Sequence, residues 1–280
     1  MPYAPTLTVS ADMNPCPRVL VTFTALAAGT QTINVTRVVG GRSQKVNGGV
    51  ALFALGGAAV MDYAPAVGVP SSYRADMFDA AGNPLGSTDA AQVTVPASVV
   101  PDASYGIITQ PLKPTLAVAA PLDALTADEI IYGLPGDVRY PEGAAVGTRI
   151  GSRRHGIEGM KLVVKCQNYA DAAEFRSMFG DYETSQFPAI LCVRTLEPVP
   201  IPRVLYASVR ELRESTDYIN QQTTFNLVVD EVAPPSPGLI IPILRRMDLD
   251  AAFPTRAARS AAYSSRLARD TDFSKAGLAG

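Results

Sequence analysis

The chain has no tryptophan, one histidine and three cysteines among its 280 residues, and each scarcity closes a class of function. Any Ser-His-Asp or Cys-His site would have to pass through His155. That residue sits in Ser152-Arg153-Arg154-His155-Gly156, a basic loop ahead of a strand, and no GxSxG elbow accompanies it. The reading is a solvated loop facing a partner. One histidine and three scattered cysteines make no zinc set of familiar spacing. Cys16, Cys166 and Cys192 form no CxxC pair and read as buried free thiols; the alternative is that Cys166 and Cys192 lie near one another on neighbouring strands.

Charge is scarce too. Only 18% of residues are charged, and 24 basic against 26 acidic residues leave a net charge of −2. Sequence-specific nucleic-acid binding and anionic-membrane binding, which need clustered Lys and Arg, are not expected. The longest apolar run, residues 50–61, is broken by Gly56-Gly57 and too short to span a bilayer. The N-terminus carries polar and Pro residues where a signal peptide needs a basic start and an apolar centre, so neither membrane insertion nor classical secretion is expected. Gly40-Gly41-Arg42-Ser43 and Gly147-Thr148-Arg149-Ile150-Gly151 match neither a phosphate loop nor a dinucleotide fingerprint. Asp76, Asp79, Asn83 and Asp89 gather at a turn without EF-hand spacing and read as that turn. No catalytic residue, cofactor or metal site is expected.

Present instead are 22 Gly, 23 Pro and many short runs rich in Val and Thr, the composition of a mainly β protein with frequent turns. Residues 1–100 predict a β-sandwich of immunoglobulin or fibronectin type III kind: Leu7-Thr8-Val9, Val19 to Phe23, Thr32 to Val38 and Val93-Thr94-Val95 are strands at suitable spacing. Gly56-Gly57 reads as a two-residue hairpin turn between the runs at 50–55 and 58–63. On the run 72–78, Tyr73, Ala75 and Met77 share a face. Residues 101–121, with Pro101, Pro111, Pro114 and Pro121, read as an extended linker whose Leu116-Ala117-Val118 suits an edge strand.

Residues 122–237 predict an antiparallel β domain with one packed helix. Within it, 156–232 reads strand, helix, strand, strand, strand, because the later connections are too short for crossover helices. Asn168 caps the helix, Asp171 follows three residues on, Ala172, Phe175, Met178 and Phe179 share its apolar side, and Gly180 stops it. Lys161, Lys165, Arg194, Arg210, Glu211 and Arg213 place water or a partner on one sheet face. The run 127–132 suits a helical turn or a strand. Residues 238–280 form an Arg- and Ala-rich C-terminal arm with Arg245, Arg246, Arg256, Arg259, Arg266 and Arg269; it is either a disordered tail or a segment, helical over 256–269, that lies on a neighbouring subunit.

The run Asn14-Pro15-Cys16-Pro17-Arg18-Val19-Leu20-Val21, then Thr32-Ile33-Asn34-Val35-Thr36-Arg37 and residues 41–48, resembles the opening of minor tail proteins of long-tailed, siphovirus-type phages of actinobacteria. Gln110-Pro111-Leu112-Lys113-Pro114 is similar to their Asn-Pro-Leu-Asp-Pro junction, with Lys113 in place of the acid, and Thr36-Arg37 stands where a Trp is expected. The block at 156–232 resembles the ring-forming domain of distal tail and tail tube proteins. The resemblance implies a non-enzymatic virion protein assembled in the host cytoplasm. It implies a ring, hexameric or trimeric, that joins the tail tube to the tip and lets DNA pass. Its partners would be the tail tube, tape measure and tip or hub proteins. Arg153, Arg154, His155 and the arm's arginines are the candidate interaction residues. Two alternatives stand beside it: a carbohydrate-binding module using Tyr63, Tyr73, Tyr105, Tyr132 and Tyr140, and a peptidoglycan hydrolase using His155.

Overall fold

The structure, a computed structural model, describes residues 3–180, 187–196, 199–235, 246–265 and 269. The N-terminal part carries nine strands: β1 (Thr6–Ser10), β2 (Arg18–Phe23), β3 (Thr32–Val39), β4 (Arg42–Lys45), β5 (Leu52–Phe53), β6 (Ala58–Asp62), β7 (Pro70–Phe78), β8 (Pro84–Ser87) and β9 (Ala91–Thr94). One sheet has the order β1-β2-β6, the other β4-β3-β7-β8, with β5 beside β3 and β9 beside β7. Period-two patterning makes the layers: Val19, Val21 and Phe23 of β2 and Tyr73, Ala75 and Met77 of β7 are buried while their neighbours along each strand are more exposed. These inner faces meet Ile33 and Val35 in one apolar core.

Two sequence readings change here. Gly56-Gly57 is not a hairpin turn, because β5 pairs with β3 in one sheet and β6 with β2 in the other. The glycines carry the chain between sheets. Gly56 has a positive φ of 79°, and a Cβ on Gly57 would lie 2.8 Å from the Phe23 carbonyl oxygen, so close backbone approach demands glycine there.

Nor is 101–121 a linker. It folds as β10 (Tyr105–Gln110) and β11 (Lys113–Pro121), a hairpin inside the second sheet system. Pro114 and Pro121 are tolerated because β11 is a terminal strand, which leaves their missing donors without cost.

The remaining elements are β12 (Ile131–Tyr132), β13 (Gly136–Arg139), β14 (Thr148–Gly151), β15 (Ile157–Glu158), β16 (Met160–Cys166), α1 (Tyr169–Ser177), β17 (Ile190–Thr195), β18 (Val204–Asp217) and β19 (Gln222–Glu231). The run 127–132 is therefore a turn followed by the short strand β12. The six-stranded sheet, order β11-β10-β17-β18-β19-β16, is antiparallel throughout. Its ends approach each other. Leu122, just past β11, bridges Val164 of β16, and Asp123 and Ala127 donate their N–H groups to the Val163 and Lys161 carbonyls at 3.0 and 2.9 Å. That segment covers the outer edge of β16.

Helix α1 forms as its sequence signals require. The Asn168 side chain accepts from the Asp171 N–H at 2.8 Å, Ala172, Phe175 and Met178 are buried, and Gly180 adopts a φ of 86°. Phe175 packs on Phe225 of β19 at 4.5 Å between ring centroids and edge-on to Phe179 at 5.6 Å. The far end of the helix is closed by Gln110, whose Nε2 donates to the Met178 carbonyl at 2.8 Å. Glu174 reaches back to accept from the Ala117 N–H of β11 at 3.1 Å, satisfying an edge donor.

The chain divides into two compact units, residues 1–181 with 185–235 and residues 182–184 with 236–280. The sandwich and the six-stranded sheet share the first because β10 serves both cores. Ile107 packs with the sandwich residues and Ile108 with the sheet and helix residues. In the second unit, α2 (Arg246–Ala252) and α3 (Arg256–Ala262) are the described helices. Thr255 caps α3 by accepting from the Ala258 N–H at 3.1 Å, and Phe253 meets Tyr263 edge-on at 5.7 Å.

Candidate interaction surface

The seam between sandwich and sheet holds the densest polar chemistry. Arg37 on β3 is 1% exposed and donates through Nη1 to both Asp62 oxygens at 2.8 and 2.7 Å. Its Nη2 donates to Gln44 Oε1 at 2.8 Å, while Tyr73 Oη donates to Asp62 Oδ2 at 2.8 Å. Burial, with the Asp62 charge beside it, holds the Tyr73 phenol far above its ordinary range; at Arg37 burial works against the charge, but the Asp62 carboxylate, with Tyr206 and Tyr73, more than offsets it and raises the pKa. Val39, Ala64 and Ala66 of the sandwich pack here with Cys192, Val204 and Tyr206 of the sheet.

Arg194 belongs to the same seam, which corrects its placement on a water-facing side. It is fully buried, with Nη1 donating to the Pro17 carbonyl at 2.8 Å. The sandwich covers that face of β17 and the first part of β18. Beyond the sandwich, Arg210, Glu211 and Arg213 are exposed as read.

The cysteines are free and buried, but Cys166 and Cys192 are not neighbours, since β16 and β17 are separated in the sheet by β18 and β19. Burial raises all three thiol pKa values, that of Cys166 to about 12. A thiol-specific disulfide reagent at pH 8 is therefore expected to leave the native chain unlabelled and to label all three positions after denaturation. Labelling within seconds without denaturant would contradict this placement.

The basic loop reaches solvent. His155 Nδ1 lies 3.1 Å from Glu158 Oε1, and the Arg154 guanidinium stacks over Tyr132 at 4.1 Å. Arg154 and His155 line an open cleft of about 560 Å³ with Arg42, Gln44 and Glu231. Arg42 spans it, 2.6 Å from Glu231. Arg153 is exposed beside it. No protein-family model and no curated protein matches the chain.

In the arm, Arg246 and Arg259 approach Asp250 at 3.7 and 2.5 Å, so part of its positive charge is spent within the unit. Arg256 is exposed and Arg269 half-buried; Arg245 and Arg266 lie outside the described residues. Among the described residues no group of three or more His, Cys, Asp or Glu is placed to hold a metal, and no helix is long and apolar enough to cross a membrane. The Asp79 carboxylate is occupied in its turn, accepting from the N–H groups of Ala81 and Asn83, each at 2.8 Å.

Of the tyrosines proposed for sugar stacking, Tyr73 is unavailable inside the seam and Tyr140 is exposed. Tyr140 belongs to one of two hairpins that carry highly exposed apolar groups. Every residue of β13 and β14 is exposed, and Val138, Ile150, Tyr140 and Val146 stand in solvent. At the β18–β19 turn, Tyr218 and Ile219 are 79% and 75% exposed. Sequence reasoning passed over both sites, although strands without an alternating buried face signal missing cover.

Proposed function

We propose that this chain is a structural virion protein of a phage tail. It forms a ring, hexameric by preference, at the distal end of the tail tube and connects the tube to the tip. Residues 1–100 serve as an immunoglobulin- or fibronectin-like outer domain and the six-stranded sheet with α1 as a tail-tube-like ring domain. The arm at 238–280 reaches an adjacent ring or the tape measure protein, and DNA passes through the ring. The observation that carries this reading is the β13–β14 hairpin, whose apolar side chains have no core beneath them. Burying side chains of that size is worth about 1.5–3 kcal/mol each, so a hairpin left bare in one copy favours cover by another. A seam fixed by buried polar bonds suits a part that transmits load.

Sedimentation velocity on the purified chain tests the proposal. A six- or three-chain particle is expected, loosened when the chain ends at Gly238. The double substitution Val138→Asp, Ile150→Asp is expected to dissociate it while leaving the unfolding midpoint of the dissociated chain unchanged, because both side chains are at least half exposed in a single copy. A single-chain species at every concentration, with tail partners present, would overturn the reading.

A further inference from the structure

The open cleft lined by Arg42, Ser43, Gln44, Arg154, His155 and Glu231 holds more donors than acceptors. Glu231 is the one carboxylate in its lining, and both oxygens are taken, one by Arg42 at 2.6 Å and Oε2 by the Ile157 N–H at 3.1 Å. Gln44 spends its oxygen on Arg37, and Glu158 beside the cleft meets His155. Arg154 is left over. The face of its guanidinium rests on the Tyr132 ring at 4.1 Å, and no carboxylate pairs with it among the described residues. A guanidinium held by its face keeps its N–H fork free in its own plane, the arrangement that grips a carboxylate or phosphate through two bonds. Arg153 and Lys45 close by are exposed and likewise lack a carboxylate among the described residues.

The same cleft borders an open strand edge. β4 is a terminal strand of its sheet, and Gly40-Gly41, at φ of 55° and 78°, forms the two-residue turn that joins it to β3. Val39 and Arg42 flank that turn as a hydrogen-bonded pair, Arg37 and Gln44 are the next, and alternation turns the N–H and C=O groups of Ser43 and Lys45 away from β3. The Val46 N–H donates to the Val35 carbonyl at 2.9 Å, as this parity requires. Among the described residues no other strand or loop backbone pairs with Ser43 or Lys45 on their outer side.

We propose that this cleft binds an extended acidic segment of a partner protein. The segment adds to β4 as a further strand through the backbone of Ser43 and Lys45 and seats a carboxylate on the Arg154 fork. Backbone pairing supplies the hold, and charge selects the sequence. A free phosphate brings the anion without the strand, so the open edge favours a peptide. The site lies apart from the β13–β14 hairpin and owes nothing to the tail assignment.

Fluorescence anisotropy of the full chain with a labelled heptapeptide alternating Thr and Glu tests it, with Lys in place of Glu as the control. Saturable binding of the Glu peptide alone is expected. Arg154→Ala should weaken it about tenfold, and Arg154→Lys nearly as much, because Lys lacks the fork. A strand offers alternate N–H groups to its neighbour, so N-methylation of the peptide in one alternate phase should abolish binding and in the other phase leave it. Binding that survives methylation in both phases and is displaced completely by inorganic phosphate would reduce the cleft to an anion site and overturn the added strand. No binding of the Glu peptide, equal binding of the Lys peptide, or indifference to Arg154→Ala would overturn the proposal whole, and none of these results bears on the ring.

Discussion

Replacing Asp62 with Ala is expected to destabilise the first unit by about 3–5 kcal/mol, because it leaves the Arg37 charge buried without a carboxylate. The substitution also strands the Tyr73 hydroxyl and the Ala64 N–H, both of which donate to Asp62. The control is joint replacement: against Asp62→Leu alone, Arg37→Met with Asp62→Leu should recover the part of the loss that comes from the unpaired Arg37 charge, while the cost of the stranded Tyr73 hydroxyl and Ala64 N–H remains. Denaturant midpoints for the two singles and the double form the cycle. Additive losses would mean that the pair is not coupled.

Phe175→Ala is the second large effect, about 3–5 kcal/mol, since it opens a cavity where α1 meets β19. Phe175 is fully buried, and Phe179 and Phe225 lose their ring contacts together. Loss of helix signal at a lower denaturant concentration than loss of sheet signal would show α1 detaching alone. A shift below about 1 kcal/mol would mean that the core collapses around the gap.

Much of this fold was legible in local chemistry. Asn168 and Gly180 bound α1 because a cap and a positive φ need those side chains in any context. The runs at 160–166, 188–193, 204–209 and 224–229 read as strands because they are short, apolar and rich in β-branched residues. Misreadings arose where one local signal serves two tertiary ends. Gly56-Gly57 suits a tight hairpin and equally a crossing between sheets. Pro114 and Pro121 suit a linker and equally an edge strand, and Pro111 the turn before it. Adjacent Ile107 and Ile108 held the better clue, since a strand apolar on both faces lies between two cores.

Less of the candidate site was legible. Arg37 and Asp62 are 25 residues apart, and only the stacking of β3, β6 and β7 brings them within 2.8 Å. Arg194 read as solvent-facing because nothing local announces the sandwich above it. Tyr218 was overlooked because an aromatic in a turn carries no sequence sign of exposure. The loop at 153–155 was visible as a charged run, yet its stacking on Tyr132 and its cleft with Arg42 depend on the fold.

Negative-stain electron microscopy of the purified full-length chain tests the central claim most directly. The account predicts closed rings of uniform subunit number with a central opening that admits duplex DNA. Dispersed single-chain particles at every concentration, with tail tube and tip proteins added, would contradict it.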